Sequence, residues 1–371
     1  MERIYPVIDS DGHVEEGFVN WQERLPKQYW YWAPRYFSDE EGVRFFYVDG
    51  KFMTFHMKRH RGFKHDDRPY SRTTKPAHRW HNREGMRDPH KRIPDMDEEG
   101  IDIAVLFGTP VHFMLSEIED PALAVAVARA YNDWLAEYCN PYRNRLKGVA
   151  LLPVQSPSEA AKELRRSVTE LGFVGGIFPA RLQDKTPDNE FFHPVYKEAQ
   201  DLDVPLCVHL ASSKITGAMV QQKALHTTFA ALDVIVAAGC FLAGGPMDVF
   251  PRLRMMFTEI GCGWIPYIVE RLQGQMELYA QEAPWKKFSL EEIVRSDRFY
   301  CTVDPTEATI PFVAATTGED RLLYISDYSH GDCLCPDSVK IILERTDISD
   351  RLKRKILSEN ALALFKTLKT A

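Results

Sequence analysis

The stretch "PALAVAVARAYNDWLAEYCNPYRNRLKGVALLPVQSPSEAAKELRRSVTELGFVGGIF" occupies residues 121–178 and shows a clear alternation of helical and strand patterns. Apolar residues recur at helical spacing over 121–139 and again over 157–171. A short apolar run follows each helix, at 147–152 and at 173–178. Strands that alternate with helices are typical of a parallel sheet whose strands are joined by helical crossovers.

The same alternation extends over most of the chain, with further helical patterns at 193–202 and 225–238. The candidate strands are 4–10, 102–108, 147–152, 173–178, 204–209, 254–259, 299–303 and 322–326. Eight strands with helices between them predict an α/β fold, a distorted (β/α)8 TIM barrel, built as one domain from residues 1–371. An open doubly wound sheet is the alternative, but it requires a Gly-rich phosphate-binding turn after an early strand, and the sequence has none.

Residues 20–95 separate the first two candidate strands, and we interpret them as a long insertion after strand 1. Within the insertion, residues 51–92 contain 13 Lys and Arg against four Asp and Glu, a net charge of +9, and six of the 12 histidines. We interpret this segment as a lid or a contact between subunits. The alternative is an electropositive cover that attracts an anionic substrate.

Composition restricts the class of protein. The net charge of −7 gives no reason to expect nucleic-acid binding. No signal-peptide pattern precedes Asp9, and no apolar run reaches the roughly 18 residues of a membrane span. Seven cysteines, an odd number, suggest reduced thiols and a cytoplasmic protein.

Polar side chains gather at the C-terminal ends of the candidate strands. In a (β/α)8 barrel this end carries the active site. Strand 1 contains Asp9, Asp11 and His13 at a spacing of two, which predicts that all three share one face. Arg181 follows strand 4. Other candidates that follow a strand, or that open the next helix, are Glu16, His209, His226, Glu259, Asp327 and His330.

Imidazole and carboxylate groups together suit Zn, Mn or Fe as a divalent metal ion. The predicted ligands are Asp11, His13, His209 and Asp327, with Glu16, His226 and Glu259 as additional candidates for one or two ions per chain. Asp327 has an alternative role as a proton carrier. Each residue also has a structural interpretation, as a hydrogen-bonded core histidine or as a helix cap.

Six segments in order carry a resemblance to a known family. They are "DSDGHVEE" (9–16), "GMRDPHKRIPDMDEEGIDIAVLF" (85–107), most of the stretch quoted above, "VPLCVHL" (204–210), "FPRLRMMFTEIGCGWIPYIVERL" (250–272) and "YISDYSHGD" (324–332). With them the chain resembles the amidohydrolase-related branch of the amidohydrolase superfamily, which includes aminocarboxymuconate-semialdehyde decarboxylase and benzoate-type nonoxidative decarboxylases.

The resemblance implies a barrel that binds a divalent metal through Asp11, His13, His209 and Asp327. It also shows differences from the family. Several relatives carry a histidine where Glu259 stands, and strand 4 has no lysine for the carbamate bridge of dinuclear hydrolases.

Three functions follow from these observations. The first is a metal-dependent lyase or hydrolase that acts on a small carboxylate or aromatic acid, by nonoxidative decarboxylation or hydrolysis. Arg181 and His330 would bind the substrate, and Asp327 or Glu259 would transfer a proton. The second is a dinuclear Fe or Mn oxygenase on the same barrel. The third is a non-catalytic partner of a related chain, and we expect a homo-oligomer or a hetero-oligomer with such a chain, without nucleic acid or membrane partners.

Overall fold

In the computed structural model, eight parallel strands form one sheet that curls into a nearly closed barrel. The structure describes residues 5–38, 44–54, 80, 83–109, 111–210, 223–330 and 333–368. The strands, each hydrogen-bonded to the next, are β1 (Ile8–Val14), β2 (Ile103–Gly108), β3 (Leu146–Leu151), β4 (Gly175–Ile177), β5 (Leu206–His209), β6 (Met255–Thr258), β7 (Phe299–Val303) and β8 (Leu322–Tyr324). The predicted (β/α)8 barrel is confirmed, and each predicted strand overlaps an observed one.

The segment that follows β8 closes the seam between the last strand and the first. The His13 N–H donates a hydrogen bond of 2.9 Å to the Tyr328 carbonyl, and the Asp327 N–H donates one of 3.1 Å to the Asp11 carbonyl. These two hydrogen bonds lie at the mouth of the barrel, where the sequence places the candidate site residues.

Helices cover the outside of the barrel. Their bounds are Trp21–Arg24, Pro89–Glu99, Val111–Glu117, Pro121–Cys139, Pro157–Thr169, His193–Leu202, Lys223–Ala243, Pro246–Val249, Trp264–Leu278, Leu290–Arg295, Ile310–Thr317, Ser338–Glu344, Asp350–Arg354 and Asn360–Leu364, with a π-helical turn at Lys355–Glu359. The predicted start at Pro121 has a local cause. Proline suits the first turn of a helix, and the Asp120 side chain accepts a hydrogen bond of 2.9 Å from the Ala122 N–H.

The barrel interior is a packed core and not a channel. One cluster of buried side chains draws members from all eight strands, among them Ile8, Phe107 and Met256. Leu364 and Phe365 near the end of the chain pack against the same cluster. A larger cluster lies between the strands and the surrounding helices. The open end that remains for chemistry is the mouth formed by the strand ends.

The described part of the insertion contains a three-stranded antiparallel sheet with strands Arg35–Ser38, Arg44–Val48 and Lys51–Thr54. Residues 55–79 and 81–82, which make up most of the basic segment, lie outside the described residues. The interpretation of 51–92 as a lid or subunit contact stays a prediction, as do the bounds 20–95.

One stretch of the described chain, Thr228–Val249, is long and apolar enough to cross a membrane by length and composition, with a mean hydropathy of 1.8. The expectation that no apolar stretch reaches this length is therefore wrong. Within this stretch, 44% of the most apolar window is buried inside the molecule, and the stretch contains the buried Asp233.

Candidate metal centre

Two fully buried residues of β1, Asp11 and His13, reach the mouth of the barrel. The pairing of β1 with β2 changes register between Asp9 and Gly12. A Cβ at Gly12 would lie 2.5 Å from Arg92 Nη2 and 2.6 Å from Asp9 Oδ2, so a side chain does not fit there. Glycine at this bulge lets the strand bend between the two polar residues.

The inner half of the site consists of Asp11, His13 and His209, all buried, with ligand atoms within 4.8 Å of one another. Asp11 Oδ1 lies 3.5 Å from His13 Nε2, and Asp11 Oδ2 lies 3.3 Å from His209 Nε2. The two Nε2 atoms are 3.3 Å apart. Strands β1 and β5, distant in sequence, therefore present three possible ligands to one point.

The outer half consists of Glu259, which follows β6, and of Asp327 and His330, which follow β8. Their side chains are 17%, 15% and 24% exposed, respectively. Asp327 Oδ1 lies 2.6 Å from His330 Nδ1, and Glu259 Oε1 lies 3.5 Å from the same nitrogen. These three side chains, together with His13, form a second group of atoms close enough to hold one ion.

Two further contacts join the halves. Asp327 Oδ1 lies 3.4 Å from His13 Nε2, and Glu259 Oε2 lies 3.4 Å from His209 Nε2. Each of the three carboxylates therefore lies between two of the three imidazoles. We call the six side chains of the inner and outer halves the carboxylate–imidazole ring.

In each imidazole, the nitrogen that does not face a carboxylate contacts an oxygen atom outside the carboxylate–imidazole ring. His209 Nδ1 lies 2.7 Å from the Leu210 carbonyl oxygen. His13 Nδ1 and His330 Nε2 each lie 3.4 Å from the Thr109 hydroxyl. Metal-binding histidines are oriented in the same way, by a hydrogen bond at the nitrogen that does not bind the ion.

A buried carboxylate oxygen of the inner half is a second observation that fits a divalent cation. The Asp11 Oδ1 atom is buried and accepts no hydrogen bond from the described residues. A buried carboxylate oxygen without a donor is costly unless a positive charge compensates it. Nitrogen and oxygen donors without sulfur match Mn, Fe or Zn, as predicted from the sequence.

The ring favours positive charge on two of its three histidines, whereas burial and the neighbouring histidines lower the pKa of His13 well below its ordinary value. Burial disfavours the charged form of His209, but the Asp11 and Glu259 carboxylates outweigh burial and raise the pKa of His209 to about 9. Asp327 and Glu259 likewise raise the pKa of His330 well above its ordinary value against the effect of burial. A site with this field attracts cations in general, protons and metal ions alike.

Glu16 lies outside both halves. Its Oε2 accepts a hydrogen bond of 3.1 Å from the Thr109 N–H, and its Oε1 accepts one from the Val111 N–H. The carboxyl group thus binds the backbone at the start of the helix Val111–Glu117. Burial raises the pKa of Glu16 to about 8. Its predicted role as an additional ligand has no counterpart in these contacts.

Two other predicted residues are placed differently. His226 lies in the helix Lys223–Ala243, and its side chain lies outside the described side chains. Arg181 follows β4 and lines a cavity beside His209 that encloses about 740 Å³, including open solvent. Asp233, Gln155 and several apolar side chains also line this cavity.

The sequence analysis missed His112, which lines the same cavity and is 9% exposed. Its ring centroid lies 4.7 Å from that of His209, edge to face, and its Nδ1 contacts the Gly108 carbonyl. The signal that could have found it is its position, because His112 comes shortly after the end of β2, where a barrel places its site residues.

Comparison with known proteins finds a matching family model and related enzymes. The amidohydrolase family model matches residues 52–367. The γ-resorcylate decarboxylase of Polaromonas sp. (strain JS666) is 30% identical over 291 residues, which cover 74% of this chain and 86% of that protein.

Solved structures share the fold. An amidohydrolase of Mycobacterium avium subsp. paratuberculosis matches with a TM-score of 0.80 at 19% identity, over 98% of this chain and 100% of that one. A 5-carboxyvanillate decarboxylase of Novosphingobium aromaticivorans, solved with manganese and 3-methoxy-4-hydroxy-5-nitrobenzoic acid, matches with a TM-score of 0.72 at 24% identity over 98% of each chain.

Proposed function

The chain belongs to the amidohydrolase family, and on this basis we propose that it is a metal-dependent enzyme that decarboxylates a small aromatic carboxylic acid without an oxidant. The carboxylate–imidazole ring at the barrel mouth, beside the cavity that Arg181 lines, is the observation that carries the proposal. The related proteins of Polaromonas and Novosphingobium, decarboxylases of γ-resorcylate and 5-carboxyvanillate, support decarboxylation over hydrolysis.

The cofactor of the proposal is a divalent metal ion, with manganese as the first candidate because the Novosphingobium structure contains it. Asp11, His13, His209 and Asp327 would hold the ion at the end of β1, β5 and β8. When bound, it would polarise the substrate oxygen atoms and stabilise the negative charge that develops as CO2 leaves.

The protein side chains would orient the substrate and move one proton. The Arg181 guanidinium can pair with a substrate carboxylate through two parallel hydrogen bonds. Cleavage of the bond to CO2 leaves an electron pair on the ring carbon, which must take up a proton. Asp327 or Glu259 would deliver this proton. His330, 2.6 Å from Asp327, would supply a new proton to that carboxylate and would contact the substrate.

The test is an assay of CO2 release by metal-free and manganese-loaded protein, with γ-resorcylate and 5-carboxyvanillate as the first substrates. We expect turnover only in the loaded protein. Phenyl esters and anilides of the same acids serve as controls for hydrolysis. Turnover that survives complete chelation, or hydrolysis without CO2 release, would overturn the proposal.

The alternatives from the sequence receive less support. None of the relatives reported above is an oxygenase, so they lend no support to a dinuclear oxygenase. Full activity of the purified chain alone would exclude a non-catalytic partner role. The proposal includes assembly as a homo-oligomer or as a hetero-oligomer with a related chain. It also includes a cytoplasmic location, and the seven free cysteines agree with a reducing compartment.

A further inference from the structure

We propose that the cavity beside His209 recognises a zwitterionic acid, whose carboxylate pairs with Arg181 and whose basic amino group pairs with Asp233. The inference rests on the proposed function for the choice of an aromatic acid, and it adds the charged substituent that this acid carries. It assigns to Asp233 a role in substrate specificity that neither the metal centre nor the loss of CO2 requires.

Asp233 occupies a core-facing position of an apolar helix. It is the only acidic residue of the helix Lys223–Ala243. Ala230 and Ala237, three residues before it and four residues after it, are buried on the same face of the helix. Asp233 itself is 8% exposed, and aspartate is rarely buried to this degree without a partner. A position at which packing alone would favour an apolar residue therefore carries a carboxylate.

The described residues supply no partner for this carboxylate. Neither a hydrogen bond nor an ion pair joins Asp233 to another described residue, and its side chain lines the cavity. A buried carboxylate is costly unless a hydrogen-bond donor and a positive charge compensate it. A protonated amino group of a ligand provides both, whereas a hydroxyl group provides only the hydrogen bond. The burial of Asp233 therefore favours a cationic substituent on the ligand.

Arg181 brings the opposite charge to the same cavity. It is half-buried, and it forms no ion pair with Asp233 or with another described acid. His209, the other group in the cavity wall that can carry positive charge, already lies between Asp11 and Glu259, with oxygen atoms at 3.3 and 3.4 Å from its Nε2. Two opposite charges therefore line one cavity without neutralising each other by direct contact, which is the arrangement that a zwitterionic ligand completes.

The rest of the cavity wall suits the body of an aromatic acid. Leu152, Ile177 and Phe178 provide apolar surface, and the enclosed volume of about 740 Å³, including open solvent, lies within the usual range of about 300–1,000 Å³ for small-ligand pockets. Glu117 also lines the cavity, but it is half-buried and already takes part in another interaction. Asp233 is therefore the acid to which we assign the amino group.

The test compares the three aminomethylbenzoates with the three hydroxymethylbenzoates, which have nearly the same size but lack the positive charge. Calorimetric titration of the manganese-loaded full chain gives Kd for each acid, and kcat/KM replaces Kd for any acid that is turned over. We expect at least one aminomethyl isomer to bind about tenfold more tightly than its hydroxymethyl counterpart. In Asp233→Asn, which keeps the side-chain size, this ratio should fall to about one. Asp233→Leu should give the same result if Asp233→Asn does not fold.

The matched control is Glu98→Gln, which removes an exposed carboxylate of the helix Pro89–Glu99, outside the cavity wall, and should retain the preference. Wild-type protein that binds both series equally, or an Asp233→Asn variant that keeps the tenfold preference, would overturn the inference. Release of CO2 from γ-resorcylate without any preference for the aminomethyl acids would do so while leaving the proposed function intact. A preference that depends on Asp233, without release of CO2 from any acid, would support the inference and overturn the proposed function.

Discussion

Replacement of Glu16 by Ala tests whether this carboxylate is a structural group or a metal ligand. The variant removes the acceptor of two backbone N–H groups, the buried one of Val111 and the partly buried one of Thr109. A buried donor left without a partner costs roughly 1–3 kcal/mol and a partly buried one costs less, so the free energy of unfolding should fall by about 1–4 kcal/mol. Because Glu16 contacts no member of the carboxylate–imidazole ring, the number of bound Mn per chain should not change.

Thermal and denaturant unfolding of the metal-loaded protein at about pH 6, together with elemental analysis, measure both effects. Glu23→Ala is the matched control, since Glu23 is exposed on the short helix Trp21–Arg24, and its loss should change stability by less than about 0.5 kcal/mol. A Glu16→Ala variant that loses a metal ion while its stability is unchanged would refute the reasoning and identify Glu16 as a ligand.

Three further outcomes are expected. His209→Ala removes the imidazole between Asp11 and Glu259 and should weaken manganese binding more than about tenfold in a titration; unaltered affinity would exclude His209 as a ligand. Arg181→Met should raise KM for the carboxylate substrate roughly tenfold with a smaller change in kcat, because a charge-assisted hydrogen bond contributes about 1.5–3 kcal/mol. Burial raises the pKa of Glu16 from 4.5 to about 8, so the folded protein retains this proton at pH values where the unfolded chain loses it. The contribution of Glu16 to stability is therefore complete below 4.5 and declines as pH rises to 8, by at most about 5 kcal/mol at about 1.4 kcal/mol per pH unit. Unfolding free energies that fall in parallel for wild type and Glu16→Ala between about pH 5 and pH 8 would contradict this.

The positions of the candidate ligands were predictable because a barrel brings the ends of its strands together whatever their separation in sequence. His209 and Asp327 each follow a short apolar run, and that position alone placed them with Asp11 and His13. The strand order and the inner half of the site follow from the same rule.

The path of the chain just beyond a strand was not predictable in the same way. Glu16 opens a 3-10 turn directly after β1, and the turn directs its carboxyl group to the backbone at Thr109 and Val111. The expected alternation along β1 is interrupted between Asp9 and Gly12, and Arg92 occupies the space that a side chain at Gly12 would need. Both outcomes depend on residues distant in sequence, which spacing within one strand does not report.

Closure of the barrel and assembly of the metal centre depend on the same contacts. Asp9 is fully buried and accepts hydrogen bonds of 2.8 and 2.6 Å from the N–H and the hydroxyl of Ser326, the residue before Asp327. The backbone bonds between Asp11 and Asp327 and from His13 across the seam continue this contact toward the mouth. An ion held by the candidate ligands on both sides of the seam would therefore add its binding free energy to the closed barrel. Removal of the metal should accordingly loosen the contact between β1 and the segment after β8 before it affects the opposite side of the sheet, and amide hydrogen exchange resolves the two regions.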